Sequence, residues 1–401
     1  MTRFIAIPKH PPEAVTLTES IGGYSTAARA ERIDGFRSIV GQQSGLLLSE
    51  TLHTKHKLIA TPDQHTPITG VTIIEGNSEA AEDLQNKLPD HEVIEDFNLE
   101  LVAPTTDSDD STDVASMSAW HMAAIKLKTA RDSGYTGTGS GVGVAVLDTG
   151  VAPVEELEGR IIGAYEFDND LKPVEISTKD TDGHGTGVAA LIAGKTVGVA
   201  PGADIVNVIT IPQRTGTYSN FLLAAEFIAS RPEISVANIS AGVPSWDPRI
   251  KPGIYALLNT YILPVVAVGN GGANSSRSPG NYSEVLSVGA CREDGRVWAG
   301  SSSASRTFEG MNYTVPSLVA PGHRVTTCNG DGEFRLYSGS SLATPIVSGL
   351  AALIIEKYES ITQFELREEI FEACTKLEAT EPLRQGSGMA QLPLSFYHLG
   401  S

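Results

Sequence analysis

Four polar residues stand where the chain passes from an apolar segment into a glycine-containing turn. Two of them come directly after apolar runs, Asp148 after GVGVAVL and Asn270 after VVAVG. His184 lies between two glycines in DGHGTGVAAL, and Ser341 lies in GSSLATP, ahead of the apolar run IVSGLAALIIEKY. A carboxylate, an imidazole, a hydroxyl and an amide are the groups that acyl transfer through a serine requires.

The serine pair in GSSLATP is predicted to open a buried helix. Ile346 and Leu350 recur at helical spacing, and Pro345 fits a first helical turn because its missing N–H has no partner to lose there. A serine at this position would ordinarily cap the helix, and Ser340 competes with Ser341 for any catalytic role. We favour Ser341 as the nucleophile because it lies nearer the apolar helix.

The chemistry assigns a separate task to each of the four side chains. The Ser341 hydroxyl needs a neighbouring imidazole, His184, to take its proton, and Asp148 fixes the tautomer of that imidazole. Donors fixed in advance must hold the developing oxyanion, and the Asn270 amide and the Ser341 backbone N–H supply them. At a helix N-terminus the helix dipole also favours negative charge.

The surrounding segments predict a sheet that can bring these residues together. From Trp120 onward, apolar strands such as GVGVAVLD, ADIVNVI, ISVANIS and LPVVAVGN alternate with helical segments. This alternation indicates a parallel sheet that is covered by helices on both faces. The ligand site of such a sheet lies beyond the carboxyl ends of its strands, where Asp148 and Asn270 stand.

The first hundred residues form a separate unit. TRFIAIP, GVTIIEG and HEVIEDFNLELV are predicted strands, and GYSTAARAERIDGFRSIV and SEAAEDLQNKLPD are predicted helices. They indicate a small α+β domain over residues 1–103. Residues 104–118 contain the acidic run TTDSDDSTD and are predicted to be a solvated linker with a processing site, followed by the main domain over residues 119–401.

Composition excludes several classes of function. The 401 residues carry a net charge of -19, which argues against a nucleic-acid or anionic-membrane surface. No apolar run has the length of a membrane span, and three distant cysteines indicate neither a disulfide framework nor a cysteine metal site. FIAIP is too short for the core of a signal peptide, so we expect a cytoplasmic protein, with export by another route left open.

In their order along the chain, VAVLDTG, DGHGTGVAAL, VVAVGN and GSSLATP resemble the four signatures of the subtilisin-like serine proteases. The resemblance covers about residues 120 to 390. It implies an α/β, three-layer fold around a parallel sheet, and a serine endopeptidase that works through an acyl-enzyme on protein or peptide substrates. The N-terminal block resembles the family's propeptide, which implies a zymogen whose own N-terminal domain assists folding and inhibits the enzyme.

The resemblance also implies a substrate-binding surface. Ser240, Ala241 and Gly242 match the family segment that pairs with the substrate backbone, and Gly216 lies in the opposite rail. Arg277, or its neighbour Ser278, falls at the base of the first specificity pocket. A guanidinium there would favour an acidic residue directly before the cleaved bond. The end of the N-terminal block offers Glu100 for this position, with Leu99 and Phe97 upstream for apolar subsites.

The predicted catalysis needs no cofactor. The family often carries a calcium-binding loop after the helix that follows the catalytic histidine, but GKTVG, which stands there in this chain, has no carboxylate. Calcium at that place is therefore doubtful. Four aspartates elsewhere could bind a cation, and no metal is assigned to them: Asp168, Asp170, Asp180 and Asp182.

Two other functions fit the same sequence. A peptide transamidase or macrocyclase would resolve the acyl-enzyme with an amine, but such an enzyme needs a cover over the cleft and no insertion after His184 would build one. A non-catalytic binding protein is disfavoured by the intact set of four residues.

For the zymogen we expect a cut between Leu99 and Asp113.

Overall fold

A computed structural model gives the fold of the protein and describes residues 2–9, 24–44, 57–62, 66–106, 119–308, 310–378 and 380–397. Most of the predicted linker, residues 107–118, lies outside these ranges, and with it Asp113. The division of the chain at residues 103 and 118 therefore stays a prediction.

The N-terminal unit is a four-stranded sheet with two helices. The strands pair in the order β2, β3, β1, β4, and β1 is antiparallel to both of its neighbours. Ile5 and Ile73 are fully buried in an apolar core that the unit shares with the main domain, whereas Ala6 and Ile74 lie in a smaller core of the unit itself. The elements are β1 (Thr2–Pro8), α1 (Thr26–Ser44), β2 (Lys57–Ala60), β3 (Thr72–Gly76), α2 (Ser78–Lys87) and β4 (His91–Glu95).

This unit departs from the prediction in two places. Strand β2 was not predicted, and the single strand predicted over HEVIEDFNLELV is divided into β4 and β5 (Asn98–Leu101). The division occurs at Asp96, whose carboxylate accepts hydrogen bonds from the backbone N–H and the hydroxyl of Ser219. These bonds to the main domain turn the chain out of its first sheet, so β5 leaves the N-terminal unit.

The main domain is built on an eight-stranded sheet in the order β19, β16, β14, β12, β7, β10, β8, β9. All its neighbouring strands run parallel except the edge pair β8 and β9. The strands are β7 (Gly143–Asp148), β8 (Ile161–Phe167), β9 (Pro173–Glu175), β10 (Asp204–Ile209), β12 (Ile234–Ile239), β14 (Leu263–Ala267), β16 (Leu286–Cys291) and β19 (Leu318–Pro321).

Helices cover both faces of this sheet, as the sequence predicts for an α/β fold of three layers. Along β7, Val144 and Val146 join the apolar core on one face, and Ala145 and Leu147 join the core on the other. On the first face lie α5 (His184–Ala193) and α8 (Ser340–Lys357), and on the second lie α6 (Tyr218–Ala229) and α7 (Lys251–Asn259). The other helices are α3 (Trp120–Ala124), α4 (Leu127–Asp132), α9 (Gln363–Glu372) and α10 (Pro382–Gln385).

Smaller sheets complete the main domain. One has the order β11, β5, β13, β15 and so includes the strand that leaves the N-terminal unit. A second joins β20, β21 and β6, and a third is the pair β17 and β18. Their strands are β6 (Thr105–Thr106), β11 (Thr215–Thr217), β13 (Ala241–Pro244), β15 (Arg277–Ser278), β17 (Ala304–Phe308), β18 (Met311–Val315), β20 (Val325–Cys328) and β21 (Phe334–Ser338).

Helix α8 is long and apolar because it forms the centre of the molecule. Within the part of the chain that the structure describes, it is the one helix with the length and composition of a membrane span, and 89% of that span is buried inside the protein. Its apolar residues pack in the same core as α5 and the central strands.

Candidate active site

The carboxyl end of the central strand β7 holds a buried carboxylate. Asp148 is its last residue and has no exposed surface. Its Oδ1 atom accepts a hydrogen bond from Thr149 N at 2.7 Å and lies 2.8 Å from His184 Nδ1. This geometry requires a proton on Nδ1 when the imidazole is neutral, so Nε2 is the basic atom of the ring.

His184 is the first residue of α5. Its position between two glycines predicts an exposed histidine, and this prediction is wrong, since the residue is only 8% exposed. The ring sits against Asp148 because the backbone approaches closely at the next residue. A Cβ on Gly185 would lie 2.0 Å from the carbonyl oxygen of Gly150.

Asp180 holds the turn that leads into His184. One of its oxygens accepts hydrogen bonds from Thr149 Oγ1, Asp182 N and Gly183 N, and the other accepts both the N–H and the hydroxyl of Thr186. From sequence, Asp180 was only a possible cation ligand with no metal assigned to it. The spacing of an aspartate three residues before a glycine is typical of a turn and signals this role.

Burial and charge act in opposite directions on His184. Burial is the largest single influence and disfavours the charged imidazolium. The charge and hydrogen bond of Asp148, together with the charges of Asp180 and Asp182, outweigh it and raise the pKa of His184 above its ordinary value of 6.5. Nε2 itself is buried and has no hydrogen-bond partner. The ring thus presents a free basic nitrogen whose affinity for a proton is increased.

The two serines at the start of α8 differ in their surroundings. Ser340 Oγ lies 3.0 Å from the carbonyl oxygen of Gly269 and 2.9 Å from Asn270 Oδ1, so its hydroxyl is already used. Ser341 Oγ is buried and has no hydrogen-bond partner, like His184 Nε2. The free hydroxyl supports Ser341 over Ser340, and the hydrogen bond between nucleophile and base is not formed in this state.

Asn270 is fixed in one orientation by Ser340. Its Oδ1 atom accepts hydrogen bonds from both the N–H and the hydroxyl of Ser340. Its Nδ2 atom therefore points the other way and donates to the carbonyl oxygens of Ala103, at 2.8 Å, and Val102, at 3.4 Å. The predicted oxyanion donor thus contacts main-chain carbonyls of the protein's own N-terminal segment.

That segment lies in the cleft as an added strand. β5 is antiparallel to β11 on one side, where Gly216 faces Leu99, and to β13 on the other, where Ala241 and Gly242 face Leu101 and Glu100. Val102 N donates to the carbonyl oxygen of Ser240 at 2.8 Å. Beyond Asn270 the chain continues as β6, which pairs with β21 next to the serine pair.

Arg277 contacts Glu100 of this strand, the acidic residue that the sequence offers as its partner. The sequence placed its guanidinium beneath the residue directly before the cleaved bond. In the structure Nη2 lies 2.8 Å from a carboxylate oxygen of Glu100 and 2.9 Å from the carbonyl oxygen of Gly242. Glu100 stands two residues before Val102, the first residue whose carbonyl reaches Asn270.

The acidic residues considered as cation ligands have protein partners. Asp168 accepts from backbone N–H groups, Asp170 pairs with Lys57, and Asp182 pairs with Arg214. Where the family often carries a calcium loop, residues 194–199 form a tight turn capped by the carboxylate of Glu156. Within the described residues, no group of three acidic, histidine or cysteine side chains could hold a metal ion.

Comparison with known families gives the same result as the geometry. Residues 139–388, which include all four predicted site residues, match the model of the subtilase family. The chain belongs to this family. Subtilases need no cofactor for the chemical step, and this chain is a subtilisin-like serine endopeptidase that acts on proteins or peptides.

Named relatives agree with this assignment. The chain is 32% identical to an alkaline protease of Alkalihalobacillus alcalophilus over 69% of its own length and 70% of that protein. It is also 32% identical to Subtilisin Savinase of Lederbergia lenta, over 67% of its length and 95% of the relative. The chain also aligns with the solved structure of Sphericase over 67% of its own length and 97% of that structure. The TM-score is 0.59 and the sequence identity is 26%.

Proposed function

We propose that Ser341, His184, Asp148 and Asn270 together form the peptidase centre of this subtilase. The observation that carries the proposal is the 2.8 Å contact between His184 Nδ1 and Asp148 Oδ1. It leaves Nε2 without a partner in the same buried site where Ser341 Oγ also lacks one. A base and a nucleophile that are both free and desolvated can form their hydrogen bond when a substrate is bound.

The reaction follows from these positions. His184 Nε2 takes the proton of Ser341 Oγ as Oγ bonds to the carbonyl carbon of the substrate, and Asn270 Nδ2 donates to the oxygen that becomes negative. The imidazolium then gives its proton to the leaving amine as the C–N bond breaks. Water attacks the acyl-enzyme with the same base, which restores Ser341.

We further propose that the N-terminal domain inhibits the enzyme by occupying its cleft. Support comes from β5, which is hydrogen-bonded on both sides, and from β6, which continues past Ser341. An external peptide would use these same backbone groups. The intact chain is therefore a zymogen.

The self-cleaved bond in this proposal is Val102–Ala103. Both the Val102 and the Ala103 carbonyls contact Asn270, but the bond after Ala103 leads to Pro104, whose ring crowds the leaving nitrogen and leaves it without an N–H. Val102 is also the residue whose N–H closes the ladder with Ser240. This bond lies inside the interval from Leu99 to Asp113 expected from sequence.

Labelling and intact mass test the proposal together. A fluorophosphonate should label Ser341 in the processed enzyme, and the purified chain should lose its first 102 residues with time. Ser341→Ala should stay full-length and unlabelled, whereas the control Ser133→Ala, at an exposed site, should behave like the parent. An unlabelled parent would reject the peptidase centre. A new N-terminus at another residue would reject only the assigned bond.

A further inference from the structure

The contact between Arg277 and Glu100 joins the wall of the cleft to the strand that occupies it. The two residues are 177 positions apart in sequence, and their charged atoms are 2.8 Å apart. Glu100 is 61% exposed, while Arg277 is 22% exposed. A partly buried cation thus meets a carboxylate that extends from the bound strand toward solvent.

The position of Arg277 is fixed by its own surroundings. Its backbone N–H donates to Val268 O, and its Nη2 atom also donates to the carbonyl oxygen of Gly242. Its stem passes so close to Gly269 that a Cβ there would lie 3.2 Å from Arg277 Cγ. The guanidinium is therefore held at the cleft before a peptide arrives, which reduces the entropy lost on pairing.

The side chains of the bound strand point in different directions, and Glu100 is the one that points toward Arg277. Leu99 and Leu101 are 2% and 6% exposed, and Val102, which follows them, is 2% exposed. Apolar side chains therefore enter the protein at these three positions. Glu100 is the one charged residue among residues 99–102. Its side chain extends from the opposite face of the strand and pairs with Arg277 there.

We propose that Arg277 selects substrates with an acidic residue two positions before the residue that donates the cleaved carbonyl. This inference rests on the proposed function of the site and on the same register of the bound strand. The preferred peptides carry an acidic residue, then an apolar residue, then a short apolar residue. The enzyme cleaves after the short apolar residue. Arg277 is a specificity-determining residue in this proposal and takes no part in bond breaking.

Internally quenched peptides test the inference on the processed enzyme. The parent peptide is FNLELVAS, which reproduces residues 97–103 and replaces the following proline by serine. Variants carry Gln or Lys at the position of Glu100, and one further variant carries Glu at the position of Val102. We expect kcat/KM for the Glu peptide to exceed that for the Gln peptide by about fivefold, as for a partly exposed ion pair, and the ratio to fall at high salt.

Changes in the enzyme then isolate Arg277. Arg277→Gln should bring the Glu to Gln ratio to about one, and Arg277→Glu should favour the Lys peptide. Arg292→Gln, which removes an arginine paired with Asp294 at another surface, should keep the parent ratio. Fluorophosphonate labelling of each variant shows that its active site is intact.

Three outcomes separate this inference from the proposed function. Equal cleavage of the Glu and Gln peptides by a labelled parent enzyme overturns the specificity and leaves the peptidase centre standing. Preference for Glu at the position of Val102, lost in Arg277→Gln, overturns it in favour of a contact directly before the cleaved bond. If the parent is neither labelled nor active on any peptide, the proposed function itself fails.

Discussion

Two regions of the main domain differ in where their hydrogen-bond partners come from. One consists of the turns around Asp148 and Asp180, which position His184 and are called the catalytic turns here. The other is the docking surface, on which the N-terminal domain packs. Asp148 Oδ1 and both carboxylate oxygens of Asp180 accept hydrogen bonds from residues of the main domain between positions 149 and 186. At the docking surface, Glu226 of α6 accepts backbone N–H groups of Ile68 and Thr69, and Asp96 of the N-terminal unit binds Ser219. The turns around Asp148 and Asp180 thus take their partners from one domain, whereas the docking surface joins two domains through shared polar groups and a common apolar core.

This difference indicates that the two regions respond to different perturbations. A substitution in the catalytic turns should change the rate or the stability of the main domain with the N-terminal domain still bound. A substitution at the docking surface, or a change of pH that titrates it, should change the affinity of the N-terminal domain for the main domain. Asp148, His184 and Ser341 should keep their positions.

Loss of the Ser341 hydroxyl should have the largest effect. Ser341→Ala should lower kcat by on the order of 10⁶, the size of the loss measured for the nucleophile of a subtilisin. Because this variant should not process itself, a trace of tagged active enzyme should first cut it and then be removed. Turnover of FNLELVAS within tenfold of the parent would reject Ser341 as the nucleophile.

Loss of the Asn270 amide should be milder, because the backbone donor at Ser341 remains. Asn270→Ala should lower kcat by roughly 10²–10³, a range that also comes from a subtilisin, with KM changed little. Steady-state kinetics on the same peptide measure both constants. If KM rises while kcat is unchanged, Asn270 binds the ground state and is not an oxyanion donor.

Docking of the N-terminal domain should weaken as pH rises. Burial raises the pKa of Glu226 to about 7 from 4.5, although the N–H groups of Thr69 and Ile68 and the charge of Arg37 oppose this. Between these two pKa values, Glu226 is protonated when the N-terminal domain is docked and ionised when it is not. Docking should be strongest below pH 4.5 and weaken up to about pH 7, by at most on the order of a hundredfold.

Hydrogen exchange in full-length Ser341→Ala measures this docking equilibrium. Protection factors of the Ile68 and Thr69 amides, corrected for the intrinsic effect of pH on exchange, should fall between pH 5 and about pH 7 and then level off. The Glu226→Gln variant should show little of this fall because its side chain does not titrate. An equal pH dependence in both proteins would mean that another group controls docking.

Loss of the Asp180 carboxylate should have the smallest effect of the series. Asp180→Ala leaves the N–H and hydroxyl of buried Thr186 without their acceptor, and it should lower the free energy of unfolding by about 2 kcal/mol. Asp182→Ala loses a surface ion pair with Arg214 and should cost less than about 1 kcal/mol. Urea unfolding in the Ser341→Ala background compares the two, and equal losses would contradict the role assigned to Asp180.

Sequence alone predicted the parts of the molecule that depend on local pattern. The alternation of apolar strands and helices gave the three-layer fold, and a glycine turn after each strand or before each helix marked Asp148, His184, Asn270 and Ser341. These features depend on residues within about ten positions of one another.

Other features arise from contacts between distant segments, which periodicity does not report. The break of the last N-terminal strand at Asp96 depends on Ser219, and the register that places Glu100 opposite Gly242 depends on the pairing of β5 with β13. His184 has an exposed residue's sequence context, yet it is buried in the assembled structure. A single sequence gives no distance between such segments, so these three features had to come from the structure.

The path of β5 and β6 across the cleft has a consequence for the timing of activation. A peptide from outside must compete with a segment tethered to the same molecule, whose effective concentration is on the order of millimolar. In the proposed zymogen, cleavage after Val102 would release only the downstream segment, since β5 is paired with β11 and β13 and belongs to the N-terminal domain. Activity should therefore appear after a lag that follows chain cleavage and ends when the N-terminal fragment dissociates or is degraded.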